Sequence, residues 1–383
     1  MKILALEPYF GGSHKAFLDG WSARSQHEWE MIGLPAYKWK WRMRHAAITM
    51  ADDVAARIGE GATWDALFCS DMLNLAELLG LVPEAVRRLP AVVYFHENQL
   101  TYPGAAETDR DLHFAFTNLT TALAAESVWF NSKYHRDSFL EALREFLSRM
   151  PDYQPVSAVD AIREKSYVQP PGIATFTPQS DRKPGPLRIL WAARWESDKN
   201  PETFFSALEL LQNAGVDFRL SVLGESFENA PAVFERARRL FSDRVDHWGF
   251  QPSHRAYSDT LCKSDVVVST AIHEFFGIAV AEAVAAGAIP LVPRSLAYPE
   301  LLGLDRDAEA VVFFHDGTAE NVADKLADWE KVIVRNRDPG QFASLARRNI
   351  RQFDWRTRTP DLDAALNEVI QVKRSRSTGV YGR

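Results

Sequence analysis

One feature constrains this chain more than any other: short apolar runs alternate with longer amphipathic stretches along nearly its whole length. In the first half the runs are KILALE, WEMIGL, ALFCS, AVVYFHE, SVWFNS and SYVQPP. In the second half they are LRILWAAR, FRLSVLGE, VDHWG, DVVVST, AIPLVP and AVVFF. Runs rich in Val, Ile and Leu with helices between them belong to parallel sheets covered on both faces. The expected fold class is α/β, with two Rossmann-like, doubly wound domains facing a central cleft. Residues 170–186, PPGIATFTPQSDRKPGP, hold five prolines and no periodicity, the signature of a linker. The expected domains are therefore residues 1–172, a linker at 173–186, and a second domain at 187–355. Residues 356–383 read as a terminal helix that could cross back to the first domain, followed by a basic tail.

The totals narrow the class. A chain of 383 residues is long enough for two domains with cores of their own. No run of eighteen apolar residues is present, so no membrane-spanning helix is expected. The opening MKILALEPYF reads as a strand and lacks the pattern of a signal peptide. Cys69 and Cys262 are the only cysteines, too few for a disulfide framework or a zinc site, so a reducing cytoplasm is expected. The net charge of −7 argues against coating nucleic acid over the whole surface but leaves room for local basic patches. Two such patches stand out: Lys38, Lys40, Arg42 and Arg44, and the tail KRSRSTGVYGR from Lys373. The tail has four basic residues and no acid, and reads as a disordered, solvated terminus.

Parallel sheets bind ligands at the carboxyl ends of their strands, so the loops there matter most. The stretch STAIHEFFGIAVAEAVAAGAIPLVPRSLAYPE starts where the run VVVST ends. Glu274 lies in the loop, a helix opens near Gly277 and stops at Gly287, and Glu282 lies inside it. At the rise of a helix, Glu282 sits on the order of 10 Å along from the loop. Carboxylates accept hydrogen bonds from vicinal hydroxyls, and the free N–H groups of a helix start suit a diphosphate. The spacing thus fits the two sugars of one extended ligand, where either acid alone would read as a solvated charge. In WAARWESDKN, Arg194 and Lys199 follow a strand end, with Asn200 and Pro201 as cap and first residue of the next helix. Two fixed cations there can neutralise a diphosphate. In PYFGGSHK, Gly11 and Gly12 allow a close backbone approach. His14 follows, either touching acceptor or phosphate or sitting in a helix start capped by Ser13. At another strand end, FHENQ supplies His96, Glu97 and Asn98.

On these residues the second half resembles the retaining glycosyltransferases of the GT-B fold, which carry two Glu residues eight positions apart. The resemblance implies a nucleotide-diphosphate sugar as donor. It implies that Glu274, with the amides of Phe275, Phe276, Gly277 and Ile278, holds the donor sugar. Glu282 would hold the ribose, Arg194 and Lys199 the diphosphate, and His96 the sugar from the first domain. Gly11 and Gly12 would lie over the phosphates. The commoner family pattern has a Gly directly after the first Glu; here Phe275 and Phe276 come between Glu274 and Gly277. No Asp-x-Asp motif sits at a matching strand end, so no essential metal is expected, and no cofactor beyond the donor.

A narrower resemblance names an acceptor. The segments GGSHK, LPAYKWKWRMR, SDMLNLAEL, YFHENQLTYP and VWFNSKYHRDSF look like those of the tRNA-queuosine α-mannosyltransferase family. That family implies transfer of mannose from GDP-mannose to the cyclopentenediol of queuosine in the anticodon loop of tRNA for aspartate. Beside it, the residues themselves offer an RNA-binding pattern. Lys38, Lys40, Arg42 and Arg44 alternate with Tyr37, Trp39, Trp41 and Met43. An extended segment would turn the cations to phosphates and Trp39 or Trp41 to an unpaired base. The same pattern fits an amphipathic strand with its tryptophans in the core, or a lipid headgroup region. Glu97, Asn98 and His14 are candidates for the acceptor side. Two alternatives stay open: an envelope lipid or polysaccharide acceptor, and a non-catalytic tRNA-binding protein on a transferase scaffold.

Overall fold

The computed structural model describes residues 1–101, 112–176, 184–226, 230–335 and 339–379. The chain forms two compact units: Met1–Gly172 together with Trp355–Arg383, and Ile173–Asp354.

Six parallel strands form the sheet of the first unit: β1 (Lys2–Phe10), β2 (Glu28–Pro35), β3 (Ala66–Ser70), β4 (Ala91–Phe95), β5 (Ser127–Phe130) and β6 (Ser166–Val168). Their order is β2-β1-β3-β4-β5-β6. The order reverses between β1 and β3, a switch point where loops diverge and leave a crevice. β3, β4 and β5 are buried throughout, as their unbroken apolar sequences require. Helix Trp355–Gly379 closes one face of this sheet. Its Trp355, Leu362, Leu366 and Ile370 pack with Ile3, Phe17, Trp21, Phe68 and Trp129. Asp363, 3% exposed, accepts from Trp21 Nε1 (2.7 Å), Ser25 Oγ (2.7 Å) and the Gln26 amide (2.9 Å). A Cβ on Gly20 or Gly172 would fall 2.3 or 2.1 Å from the Trp355 ring, so the indole seats only against glycine.

The second unit has its own sheet of six parallel strands: β7 (Leu187–Ala192), β8 (Phe218–Leu223), β9 (Val245–Gly249), β10 (Val266–Val268), β11 (Ile289–Pro293) and β12 (Phe314–His315). The order β12-β11-β10-β7-β8-β9 places its switch point between β7 and β10. Two α/β units with doubly wound parallel sheets are what the alternating runs demanded.

Three expectations are corrected. The run AVVFF is not a strand at its start: Ala308–Phe313 is a 3₁₀ segment capped by Asp307, and only Phe314–His315 pairs with β11. A short apolar run carries no period that separates the two states. Tyr37–His45 is not extended; a helix runs from Trp39 to Gly59 with Lys38 as its left-handed cap. The alternation of cations and aromatics ends at Arg44, whereas Met43, Ala46, Ala47, Met50 and Val54 keep a helical period and are buried. The basic tail is not a solvated coil as far as Gly379: it continues the last helix, with Lys373 paired to Glu126 and Arg374 to Asp65 (2.5 Å). Residues 177–183 of the proline-rich stretch and 380–383 of the tail lie outside the described residues.

Candidate active-site residues in the two units

In the second unit, the switch point between β7 and β10 brings together residues 75 positions apart. A 3₁₀ turn, Ser197–Lys199, follows β7, and Asn200 caps the next helix by accepting from the Thr203 amide (3.4 Å). Lys199 Nζ is buried there. It donates to the His273 carbonyl (2.8 Å) and lies 3.0 Å from Asp198 and 3.5 Å from Glu274. Burial opposes its charge, but the Glu274 and Asp198 carboxylates raise its pKa. Burial likewise opposes ionisation of Asp198, yet His273 and Lys199 hold it down at about 2. Lys199 is thus already neutralised by two carboxylates. Arg194 is the more accessible cation, half exposed and 3.3 Å from Glu196.

Glu274 Oε1 accepts from the amides of Phe275 (3.1 Å) and Phe276 (3.4 Å), so the carboxylate folds over two of the amides assigned to the donor. Burial works against its charge, but Lys199, the Phe276 and Gly277 amides and His273 keep its pKa low. Gly277 caps helix Ile278–Ala286 at φ 88°, and a Cβ there would meet the Tyr298 ring at 2.8 Å, so glycine is required on both counts. Glu282 lies in this helix and accepts from Tyr257 Oη at 2.8 Å. Burial pushes it up to about 7, an effect the tyrosine bond only partly offsets.

In the first unit, residues gather at the carboxyl ends of β1, β3 and β4. Gly11 caps helix Gly12–Ser22, and Ser13 lies inside the helix, which corrects the helix-start role expected of that serine. A Cβ on Gly11 would sit 2.3 Å from Ala36. His14 Nδ1 lies 3.1 Å from Glu7 Oε2, and its ring stacks on His96 with centroids 4.0 Å apart. The His96 amide donates to Asp71 Oδ1 (2.9 Å), and its carbonyl accepts from Asn131 Nδ2 (2.9 Å). Among the described residues, Glu7, His14 and His96 have nitrogen and oxygen atoms mutually within 4.8 Å. Glu7 and His14 bond to each other, so the group is a hydrogen-bonded pair beside a second ring. Glu97 is half-buried and accepts from Gln99 Nε2 at 3.4 Å. Asn98 is fully buried, and its Oδ1 accepts from the Leu100 and Thr101 amides and so shapes the loop.

The helix that replaces the extended segment separates the two tryptophans. Trp39 packs on Phe114 (5.2 Å) beside Met43 and Met72. Trp41 is 62% exposed and stacks near His45. Lys40 lies over Trp39 and Arg44 over Phe114, both exposed, while Arg42 donates to the Pro35 carbonyl (3.0 Å) and reaches His45 (2.9 Å). Lys38 lies over Tyr37.

Sequence reasoning missed Glu7, Asp71, Asp198 and Tyr257. A carboxylate inside the otherwise apolar run KILALE and another directly after ALFCS were signals available to it. Asp198 and Tyr257 carried no signal of their own.

A family model described as tRNA-queuosine alpha-mannosyltransferase N-terminal matches residues 2–173, and one described as glycosyl transferases group 1 matches residues 173–341. A tRNA-queuosine alpha-mannosyltransferase of Drosophila melanogaster is 36% identical over 313 residues, 78% of this chain and 81% of that protein. A GDP-mannose-dependent alpha-(1-6)-phosphatidylinositol dimannoside mannosyltransferase of Mycobacterium tuberculosis is 27% identical over 48% of this chain and 44% of its own length. Among solved structures, the sucrose-phosphate synthase of Thermosynechococcus elongatus aligns with a TM-score of 0.70 at 15% identity, covering 97% of this chain and 100% of that one. This last likeness concerns the fold, which is GT-B. With both sheets and both family matches in place, the chain belongs to the tRNA-queuosine alpha-mannosyltransferase family and is a glycosyltransferase.

Proposed function

We propose that the protein transfers mannose from GDP-mannose to the cyclopentenediol of queuosine in the anticodon loop of tRNA for aspartate, with retention at the anomeric carbon. The observation that carries this reading is the match over residues 2–173, because that half of a GT-B enzyme meets the acceptor. GDP-mannose as donor draws support from the mycobacterial relative, whose name specifies it. Arg194 and Lys199 bind the diphosphate, Glu274 and His96 the hexose, and Glu282 the ribose. The leaving phosphate takes the acceptor's proton, so neither a dedicated base nor a divalent metal is required. The exposed Lys40, Trp41 and Arg44 of helix Trp39–Gly59 supply an aromatic platform with cations for the anticodon arm. The reaction takes place in the cytoplasm, where tRNA is.

Purified protein is incubated with GDP-mannose, EDTA and tRNA that carries or lacks queuosine, and the nucleosides are read by mass. One hexose on queuosine alone is expected. Hexose on neither tRNA, whether with EDTA or with added divalent metal, sinks the reading, and transfer only with the added metal sinks its metal-free part. An envelope-lipid acceptor has one specific feature in its favour, the same Trp, Lys and Arg face, which suits a lipid headgroup region. Liposome flotation set against a tRNA gel shift separates the two acceptors. Among the described residues, no helix is long and apolar enough to cross a membrane.

A further inference from the structure

Glu7 is the one charged side chain in the body of β1, and it is 2% exposed. A carboxylate removed from water is costly unless its lone pairs are taken up. Oε1 accepts from the Tyr9 amide (2.8 Å) and Ser70 Oγ (2.9 Å), and Oε2 meets His14 Nδ1 (3.1 Å). Of these three partners only His14 can carry a compensating charge. Because Nδ1 is engaged below, Nε2 is the ring nitrogen left for a ligand. The His14 ring lies on that of His96, with planes inclined 31°; Tyr94 and Phe17 both pack against His96, and the titratable Tyr9 ring stands edge-on to His14 at 6.0 Å.

We propose that Glu7 is a positioning residue for the transfer reaction: from beneath His14 it fixes the ring that offers Nε2 to the substrate. The proposal rests on the reading above, in which this strand edge belongs to the site.

The charged and titratable groups facing His14 come from three strand ends: Glu7 on β1, Asp71 after β3, and His96 and Glu97 after β4. Burial pulls a proton off the ring, but Glu7, by charge and hydrogen bond, outweighs it together with Asp71 and Glu97. The pKa rises to about 9. His96 goes the other way: burial first, then the charges of His14 and His135, push it well below the ordinary imidazole range. At neutral pH the stack is therefore one imidazolium on one neutral imidazole. The charged ring donates from Nε2 to a phosphate oxygen or another anionic oxygen of the substrate, a charge-assisted bond. The neutral ring serves a sugar hydroxyl. Removing the Glu7 charge returns His14 toward its ordinary pKa near 6.5, so the ring is neutral at pH 8.

The test measures kcat/KM against pH for the wild type, Glu7→Gln, His14→Gln and the double variant, with Tm for each. The wild type is expected to hold its rate up to about pH 9. In Glu7→Gln the alkaline limb moves down by more than one pH unit and kcat/KM at pH 8 falls by about tenfold or more. The double variant loses no more than His14→Gln alone. An alkaline limb that stays where it was, with only Tm lowered, overturns the proposal and leaves Glu7 a structural residue. Should Glu7→Gln fail to fold, the His14 ring resonance of the wild type decides: titration near pH 9 supports the pairing, and titration near 6.5 overturns it. That resonance does not depend on the identity of the acceptor, so an enzyme inactive on queuosine tRNA defeats the proposed function without deciding this point.

Discussion

Glu282 offers the plainest test at the scale of a single residue. Its carboxyl is raised to about 7 by burial, so the ionised form dominates only above that pH. A ribose diol donates two hydrogen bonds and needs the carboxylate as acceptor. Donor KM is therefore expected to rise as pH falls through 7, approaching about tenfold per pH unit. Glu282→Gln should show a weaker but pH-independent KM, measured from pH 5.5 to 8.5. Lys199 gives a second test. Replacing it by Gln leaves Asp198 and Glu274 facing each other without their cation, at a cost of about 3 kcal/mol in denaturant unfolding. The same substitution should remove most of the transfer activity. Single acids such as Glu7 and Asp71 signal themselves only by lying in or directly after an apolar run, because one carboxylate carries no spacing. What makes them a site is strand pairing: β1 beside β3 sets Glu7 against Ser70, and β3 beside β4 sets Asp71 against His96. Glu274 and Glu282 could be placed in advance because a strand, a glycine and a helix fixed their surroundings.

At the scale of elements, helix Trp39–Gly59 separates two tryptophans that look equivalent in sequence. Trp39→Ala opens the packing against Phe114 and Met43 and should lower Tm. Trp41→Ala should leave stability within about 0.5 kcal/mol, since its ring is exposed. Its loss should instead weaken tRNA binding by about 1–3 kcal/mol in a filter or gel assay. An unchanged affinity would remove the helix from the RNA-binding surface. The strands themselves were legible almost throughout, since unbroken Val, Ile and Leu runs have few other uses. Helix Trp39–Gly59 was not, because an alternation of eight residues satisfies a strand pattern locally while the burial of Met43, Ala46 and Met50 is seen only over three turns. Gly172→Ala probes the last helix. The new methyl overlaps the Trp355 ring, and a loss of about 1–3 kcal/mol is expected from overpacking.

For the whole molecule, a net charge of −7 means that nucleic acid must be drawn by local faces. The salt dependence of tRNA binding should therefore be modest. Lys40→Ala and Arg44→Ala should each lower its log–log slope by about one if both meet phosphates. Helix Trp355–Gly379 has a consequence for the order of events at the ribosome. The chain leaves the first unit at Gly172 and rejoins it at Trp355, whereas Ile173–Asp354 is one uninterrupted stretch. During synthesis the second unit is therefore complete before the first. Until Trp355, Leu362, Leu366 and Ile370 emerge, the nascent first sheet keeps Trp21, Phe68 and Trp129 without their cover. A stalled chain lacking only its final segment would be one for chaperones to hold, however well its second half had folded.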